Sequence, residues 1–349
     1  MARVVSFPLF VALACVSAAI ALADPITCAT CHADEGRVQP QTPMAHALEL
    51  PPRQTALEAH PMLKFRKGAY GWTIERHGDS STYAVSDGVD ELKIPIRYSF
   101  GMHSATFVLE YRGALYESLV SYYAPIDSLD ITLGDEGIAP GKLEEALGRR
   151  IDSAEAEACF NCHGSAPVTG GNLDLDALTP GVGCARCHAE SDTHLRDIVR
   201  GITTSIPERL GAKSAEDMSE FCGACHRTWQ TAIKLGVWGP RNVRFQPYRL
   251  ANSKCFDGTD DRIRCTACHD PHRPLVRDSI AYDENCLTCH HAGGRQEASG
   301  KAREAPRSCP VAARDCVSCH MPKVTLPGSH QAFTDHQIRI IRPGEPYPD

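Results

Sequence analysis

Apolar and polar residues follow three different patterns along the 349-residue chain. The first is a short basic head at Arg3, an apolar run over 4–23 that closes with Ala21-Leu22-Ala23, and then the polar Asp24. A basic head, an apolar middle and a small-residue end are typical of a cleaved secretory signal peptide. We therefore predict a signal peptide over 1–23, with a retained anchor as the less favoured alternative. No later stretch approaches the roughly 20 apolar residues of a spanning helix.

The second pattern is a series of short segments rich in β-branched and aromatic residues, separated by turns that contain glycine. It predicts an antiparallel β meander inserted over 63–135. The expected strands are 70–75, 82–85, 92–98, 105–111 and 115–123. A short helix is expected over 142–149. We interpret this module as a packing or docking unit without chemistry of its own.

The third pattern runs from 159 to 320, where apolar periodicity is weak and cysteine and histidine are frequent. The chain has 17 cysteines and 16 histidines. Fourteen of the cysteines belong to seven copies of Cys-x-x-Cys-His, which begin at Cys28, Cys159, Cys184, Cys222, Cys265, Cys286 and Cys316 and end at the histidines named below. The second cysteines of these motifs are Cys31, Cys162, Cys187, Cys225, Cys268, Cys289 and Cys319.

This motif is the attachment sequence of c-type haem. Two thiols three residues apart reach the two vinyl groups of one haem, and the adjacent histidine supplies the proximal iron ligand. Zinc ribbons do not require a histidine after every pair, and thioredoxin-like motifs occur singly. We predict seven covalent haem c groups, with proximal ligands His32, His163, His188, His226, His269, His290 and His320.

Nine histidines remain for the opposite side of seven irons, enough for a second histidine at every haem. The candidates that we favour are His46, His60, His194, His272, His291, His330 and His336. His272 and His291 follow a motif so closely that each is expected to bind a neighbouring haem. His77 is expected in a solvated turn, and for His103 a packing role is equally favoured. Met44 is a rival ligand for the first haem.

Three cysteines lie outside the motifs. Cys15 would leave with the signal peptide. Cys255 and Cys309 form an even pair in an oxidising compartment, so a disulfide between them is favoured over two thiols.

The segments divide into a first haem segment at 24–62, the β module at 63–135 and a six-haem domain at 136–349. Only 27 residues accompany each haem between 159 and 320, too few for separate apolar cores, so the haems themselves are expected to form the core. The predicted class is α+β: a multihaem cytochrome c fold with sparse short helices around a haem chain, plus the inserted meander.

The formal net charge is -7, which disfavours nucleic acid as a partner. Basic residues around the last motif, among them Arg314 and Lys323, are expected on a solvated face or beside haem propionates. We predict an exported protein, periplasmic or at the cell surface, with other redox proteins as electron donor and acceptor.

Three segments resemble known multihaem cytochromes. They are 181–188 with His194 following, the Cys265–His272 element Cys-x-x-Cys-His-x-Pro-His, and the tail 316–340. The resemblance is to the family of the nitrifier tetrahaem cytochrome, the partner of hydroxylamine oxidoreductase, and to related environmental multihaem cytochromes. Ala189-Glu190 replaces the Gly-Pro usual in that family. The resemblance implies haem c and includes both carriers and enzymes.

Electron transfer along mostly bis-histidine haems is the expected function. One alternative is an oxidoreductase with one open haem acting on a small nitrogen or sulfur compound; the lysine-ligated haem of nitrite reductases is not encoded, because no Cys-x-x-Cys-Lys occurs. A second alternative is a subunit that self-assembles into an extracellular cytochrome filament.

Overall fold

The computed structural model describes residues 27–165, 168–169, 172–258, 260–290, 309–342 and 344–348. The predicted signal peptide, with Cys15, and the candidate ligand His291 lie outside the described residues.

One antiparallel sheet occupies the chain between residues 48 and 151. Its strands are β1 (Leu48–Glu49), β2 (Met62–Lys67), β3 (Tyr70–His77), β4 (Ser80–Ser86), β5 (Glu91–Phe100), β6 (Ala105–Tyr111), β7 (Ala114–Tyr123), β8 (Ser128–Ile131) and β9 (Gly148–Ile151). From β2 to β8 each strand pairs with the next in the chain, while β1 pairs with β5 and β9 with β7. All five strands expected from the sequence are present.

The sheet curls until β8 lies against β2. Register shifts between Ile96 and Tyr98 and between Thr106 and Val108 contribute, because a bulge bends its strand and increases its twist. The concave side encloses the main apolar core, in which Ile74, Val85 and Phe107 are completely buried.

The helix expected over 142–149 is not formed. Glu145–Leu147 makes a single 3-10 turn, and β9 begins at Gly148. Gly148 has a φ of 129°, and a Cβ there would lie 2.0 Å from the carbonyl oxygen of Glu117. Close pairing with β7 therefore determines the path of the chain here, and only glycine permits it.

Short helices account for most of the remaining regular structure. They are α1 (Cys28–Cys31), α2 (Ala33–Val38), α3 (Thr55–Ala59), α4 (Ser153–His163), α5 (Cys184–Cys187), α6 (Ser191–Val199), α7 (Ala215–His226), α8 (Trp229–Leu235), α9 (Gln246–Ala251), α10 (Cys265–Cys268), α11 (Asp283–His290) and α12 (Cys316–His320). Two small hairpins, β10 (Val168–Thr169) with β11 (Asn172–Leu173) and β12 (Lys323–Thr325) with β13 (Ala332–Thr334), complete the fold. The mixture of helices and antiparallel sheet confirms the α+β class.

Helix α4 connects the sheet to the rest of the molecule. Asp152 begins it with a capping box, since its side chain accepts from the backbone N–H of Glu155 and the Glu155 carboxylate accepts from that of Asp152. Phe160 on this helix is completely buried and packs edge-on against Tyr98, with ring centres 5.1 Å apart. The second haem-binding motif, at the end of α4, is thus fixed to the sheet.

Beyond α4 the described chain buries few apolar side chains. They are Ala215, Met218, Ala232, Val243, Tyr248 and Leu326. This part of the protein surrounds a cavity instead of an apolar core. Among the described residues, no helix has the length and apolar character needed to cross a bilayer.

Candidate haem-binding cavity

A continuous cavity of about 5950 Å³ occupies the region outside the sheet. Side chains of all seven Cys-x-x-Cys-His motifs line it. Each motif places its cysteines on one helical turn: the first, third, fifth and seventh on the short helices α1, α5, α10 and α12, and the other three at the ends of α4, α7 and α11. The i to i+3 spacing then brings both thiols to one side of the turn.

Cysteines of neighbouring motifs lie close enough to influence one another. The Cys184 thiol lies near Cys28, Cys162 near Cys225, Cys222 near Cys265, and Cys316 near Cys286. Cys187 lies near Cys225, and Cys268 near Cys286. Numbered along the chain, motifs 1, 3, 4, 5, 6 and 7 therefore form a continuous series, with motif 2 joining at motif 4.

A carboxylate fixes the last step of this series. Asp283, at the start of α11, accepts from the backbone N–H groups of Asp315 at 2.6 Å and Cys316 at 2.8 Å. These hydrogen bonds hold the pKa of Asp283 below its usual value, with the bond from Cys316 contributing most and burial opposing. One side chain thereby joins the sixth motif to the seventh.

Two motif histidines are oriented by a backbone carbonyl. The Nδ1 of His163 donates to the oxygen of Ala47 at 2.8 Å, and that of His320 to Arg339 at 2.9 Å. A hydrogen bond at Nδ1 fixes the ring and leaves Nε2 as the metal-binding nitrogen. Burial lowers the pKa of His163, which favours the neutral, ligating form of the imidazole.

Two further histidines face motif histidines at the spacing of a metal pair. The ring centres of His188 and His272 are 6.2 Å apart with an interplanar angle of 7°, and those of His269 and His336 are 6.2 Å apart at 45°. Two imidazoles on opposite sides of one metal, each bound at about 2 Å, place their centres about 6 Å apart. Both pairs line the cavity.

An oxygen close to Nδ1 orients each of these two further rings. The Nδ1 of His336 donates to the Thr334 carbonyl at 3.0 Å, and the Nδ1 of His272 lies 3.2 Å from a carboxylate oxygen of Asp270. Burial, with His269 adding to it, lowers the pKa of His336 to about 4. His194 also lines the cavity, and its Nδ1 donates to the Ser205 carbonyl.

The other candidate distal histidines among the described residues are engaged elsewhere. Both ring nitrogens of His46 have oxygen partners, Glu49 at 2.8 Å and Pro40 at 3.0 Å. The Nε2 of His60 contacts Tyr122 at 2.9 Å and Asp127 at 3.0 Å, and that of His330 contacts Asp130 at 2.8 Å. None of these three rings lines the cavity. Each instead fastens the sheet or the segment beside it.

The structure also places His77, His103 and Met44, which the sequence analysis treated separately from the favoured ligand candidates. His77 lies at the end of β3 with Glu75 at 3.3 Å, and His103 is exposed in the connection between β5 and β6. Met44 lines the cavity, and its carbonyl accepts from the N–H of Val182, close to motif 3.

The predicted disulfide is not formed. No bond joins Cys255 to Cys309, both of which are described. Cys255 lies near Cys268 of motif 5, whereas Cys309 is exposed and its thiol receives backbone hydrogen bonds from Ala312 and Val311, which lower its pKa.

The lining of the cavity fits haem in chemistry as well as in ligands. It carries 13 lysines and arginines against eight aspartates and glutamates, although the whole chain has 36 against 43. Such a lining complements an apolar macrocycle that carries two carboxylates. Haem also needs only two axial ligands from protein, and the cavity offers imidazoles in pairs.

Sequence analysis missed the arginines at the junction of motifs 2, 3 and 4. Arg186 donates to the Asn161 carbonyl at 2.7 Å, and Arg227 and Arg244 lie near His163. Burial lowers the pKa of Arg244. Arg186 lies within motif 3 and Arg227 directly follows His226 of motif 4. Their position beside the motifs is the sequence feature that could have indicated them.

Comparisons with known proteins do not show a family for this chain, so the interpretation of the cavity depends on the residues described above. No protein-family model and no curated protein sequence matches the chain. Among solved structures, the outer cell wall cytochrome OcwA is similar with a TM-score of 0.49 and 13% identity, over 89% of this chain and 78% of that chain.

Proposed function

We propose that this chain is an exported heptahaem c-type cytochrome that transfers electrons outside the cytoplasm, with other redox proteins as donor and acceptor. Haem supplies one-electron iron chemistry, and the protein supplies attachment, ligation and the surrounding charge. The observation that carries the proposal is the convergence of all seven attachment motifs on one cavity that also contains two imidazole pairs at metal-pair spacing.

The contacts between motifs support a continuous route. Neighbouring cysteines connect motifs 1, 3, 4, 5, 6 and 7 in sequence, and motif 2 branches from motif 4. Groups attached at neighbouring motifs would lie close together, as electron transfer requires. The two ends of the series and the branch give three places for exchange with partners.

For the distal ligands, we assign His272 to the haem of motif 3 and His336 to the haem of motif 5. His194 is the remaining described histidine that lines the cavity with its Nδ1 fixed by a carbonyl, and His291 stays a candidate beside motif 6. His46, His60 and His330 are assigned to structural hydrogen bonds.

The test is the intact mass and the haem content of the purified protein from a host that matures c-type cytochromes. Seven covalent haems on a chain that begins after residue 23 is the expected result. Fewer haems, or a chain that starts at Met1, would contradict the corresponding part of the proposal. Fractionation of the cells then distinguishes periplasm from cell surface.

A second candidate function is favoured by the carboxylate partners of His46, His60 and His330, because rings engaged there leave fewer histidines for seven irons. An iron with one open position would support reduction or oxidation of a small nitrogen or sulfur compound. Electron paramagnetic resonance at low temperature decides between the two. Seven low-spin haems favour the carrier and would require distal ligands besides the four histidines named above, whereas a high-spin signal favours the enzyme.

A further inference from the structure

Two ligand candidates on one short turn belong to two different histidine pairs. His269 ends motif 5 and pairs with His336, whereas His272, three residues later, pairs with His188 of motif 3. The residue between them with an ionisable carboxylate is Asp270.

The sequence Asp270-Pro271-His272-Arg273 forms this turn. The N–H of Arg273 donates to the Asp270 carbonyl at 3.1 Å, and aspartate followed by proline is favoured at the first two positions of a turn. In this turn the Asp270 carboxylate accepts from the backbone N–H of His272 at 2.9 Å. The same oxygen lies 3.2 Å from the Nδ1 of the His272 ring.

In the other pair the partner at Nδ1 is neutral. The Nδ1 of His336 donates to the backbone carbonyl of Thr334 at 3.0 Å. The Asp335 carboxylate also acts on this ring, but it is ion-paired with Arg249 and Arg339. The two pairs have the same ring separation, 6.2 Å, and differ in interplanar angle; at Nδ1 they differ by a carboxylate on one ring and an amide carbonyl on the other.

We propose that Asp270 is a positioning residue that lowers the reduction potential of the haem at motif 3 below that of the haem at motif 5. This inference rests on the proposed function. A carboxylate bonded to the Nδ1–H makes the imidazole a more basic ligand, and a more basic ligand stabilises the more highly charged oxidised iron. A carbonyl does this less, because it carries no net charge.

Arg273 moderates the effect. Its Nε lies 3.1 Å from the second carboxylate oxygen of Asp270, so the guanidinium shares the negative charge that His272 receives. Asp270, His272 and Arg273 all line the cavity. The turn therefore gives this chain a means of setting a difference between two neighbouring sites, such that an electron rests preferentially at the His269–His336 site.

The experiment is a spectroscopic redox titration of the haem-loaded protein and of four variants. His272→Ala identifies the motif 3 haem, because that haem changes from low spin to high spin and its midpoint moves. Asp270→Asn keeps an oxygen acceptor without the charge, and we expect the same midpoint to rise while the haem stays low spin. Arg273→Gln should shift that midpoint in the opposite direction.

Asp278→Asn is the matched control, because Asp278 accepts from the backbone N–H of Ile280 at 3.1 Å. We expect it to leave the motif 3 midpoint in place. Unchanged midpoints in both Asp270→Asn and Arg273→Gln would overturn the inference. If the motif 3 haem of Asp270→Asn becomes high spin instead, its midpoint no longer reports the effect of charge alone. The expected lowering of the midpoint in Arg273→Gln then decides whether the inference holds. Loss of haem from the parent protein would be a failure of the proposed function, which is a separate result.

Discussion

Arg249 and Asp335 form a buried ion pair with two parallel hydrogen bonds. The Nε–Oδ1 and Nη2–Oδ2 distances are both 2.9 Å, and neither side chain is exposed. Arg249 belongs to α9, while Asp335 follows β13 and directly precedes His336. The guanidinium also donates to Gln337 at 2.7 Å and to the Pro348 carbonyl at 2.8 Å. This pair thus fixes the segment that presents His336 to the cavity.

The first prediction concerns the removal of that guanidinium. Arg249→Met leaves the Asp335 carboxylate buried and still paired with Arg339. Loss of one partner of a buried pair costs about 3–5 kcal/mol of unfolding free energy. Denaturant titration of the haem-loaded protein measures the loss.

The control for this variant is Arg262→Met. Arg262 pairs with Asp260 at 2.7 Å, but it is 45% exposed. A pair of that kind contributes about 0–1 kcal/mol. Equal losses of unfolding free energy in the two variants would show that burial does not make the Arg249–Asp335 pair more stabilising than an exposed pair.

The second prediction concerns Asp283 in acid. Its pKa is held below the usual value, so the folded state binds this proton less readily than the unfolded state. The stabilisation is therefore present above the ordinary aspartate pKa and is lost as the pH falls through the lower folded-state value. We expect the parent protein to lose thermal stability more steeply below about pH 4 than Asp283→Asn does. Parallel acid profiles in melting temperature would contradict this.

The attachment motifs could be predicted because their chemistry is local. Two thiols and a histidine must lie within five consecutive residues, so the order of the sequence preserves the site whatever the fold. The strands from Tyr70 to Tyr123 could be predicted equally well, since the alternation of apolar and polar residues in a strand with one buried face is also a local signal. The helix at 142–149 failed because the close contact between Gly148 and Glu117 comes from another strand.

The pairing of the candidate distal ligands could not be predicted from the sequence, because residues far away in the chain determine which motif each ring faces. His272 follows motif 5 in the sequence and yet faces His188 of motif 3. The sequence favours His60 and His330 as candidates too, but their oxygen partners, Asp127 and Asp130, lie beside and in the sheet. Among the described residues, the histidines outside the motifs that line the cavity are His194, His272 and His336.

The third prediction concerns the approach of motif 3 to the first haem segment. Gly181 has a φ of 72°, and a Cβ there would lie 1.8 Å from the carbonyl oxygen of Ala45. Gly181→Ala should cost at least the roughly 1–3 kcal/mol of a strained backbone conformation, with the steric clash adding to it. Gly183→Ala is the control, because a Cβ there meets nothing within 4 Å. Thermal unfolding of both variants provides the comparison, and similar melting temperatures would argue against a close approach at Gly181.

The last prediction separates a ligand from a structural histidine on one short segment. His336 is buried and faces His269 at 6.2 Å, whereas the Nε2 of His330 lies 2.8 Å from Asp130. His336→Ala should convert one haem from low spin to high spin, because the small side chain leaves one axial position of that iron without imidazole. His330→Ala should leave every spin state unchanged and instead weaken the attachment of the β12–β13 hairpin to the sheet. Integrated low-temperature electron paramagnetic resonance, with total haem measured on the same sample, tests both. If His330→Ala produced the high-spin signal and His336→Ala did not, the two roles would have to be exchanged, and with them the assignment of His336 to motif 5.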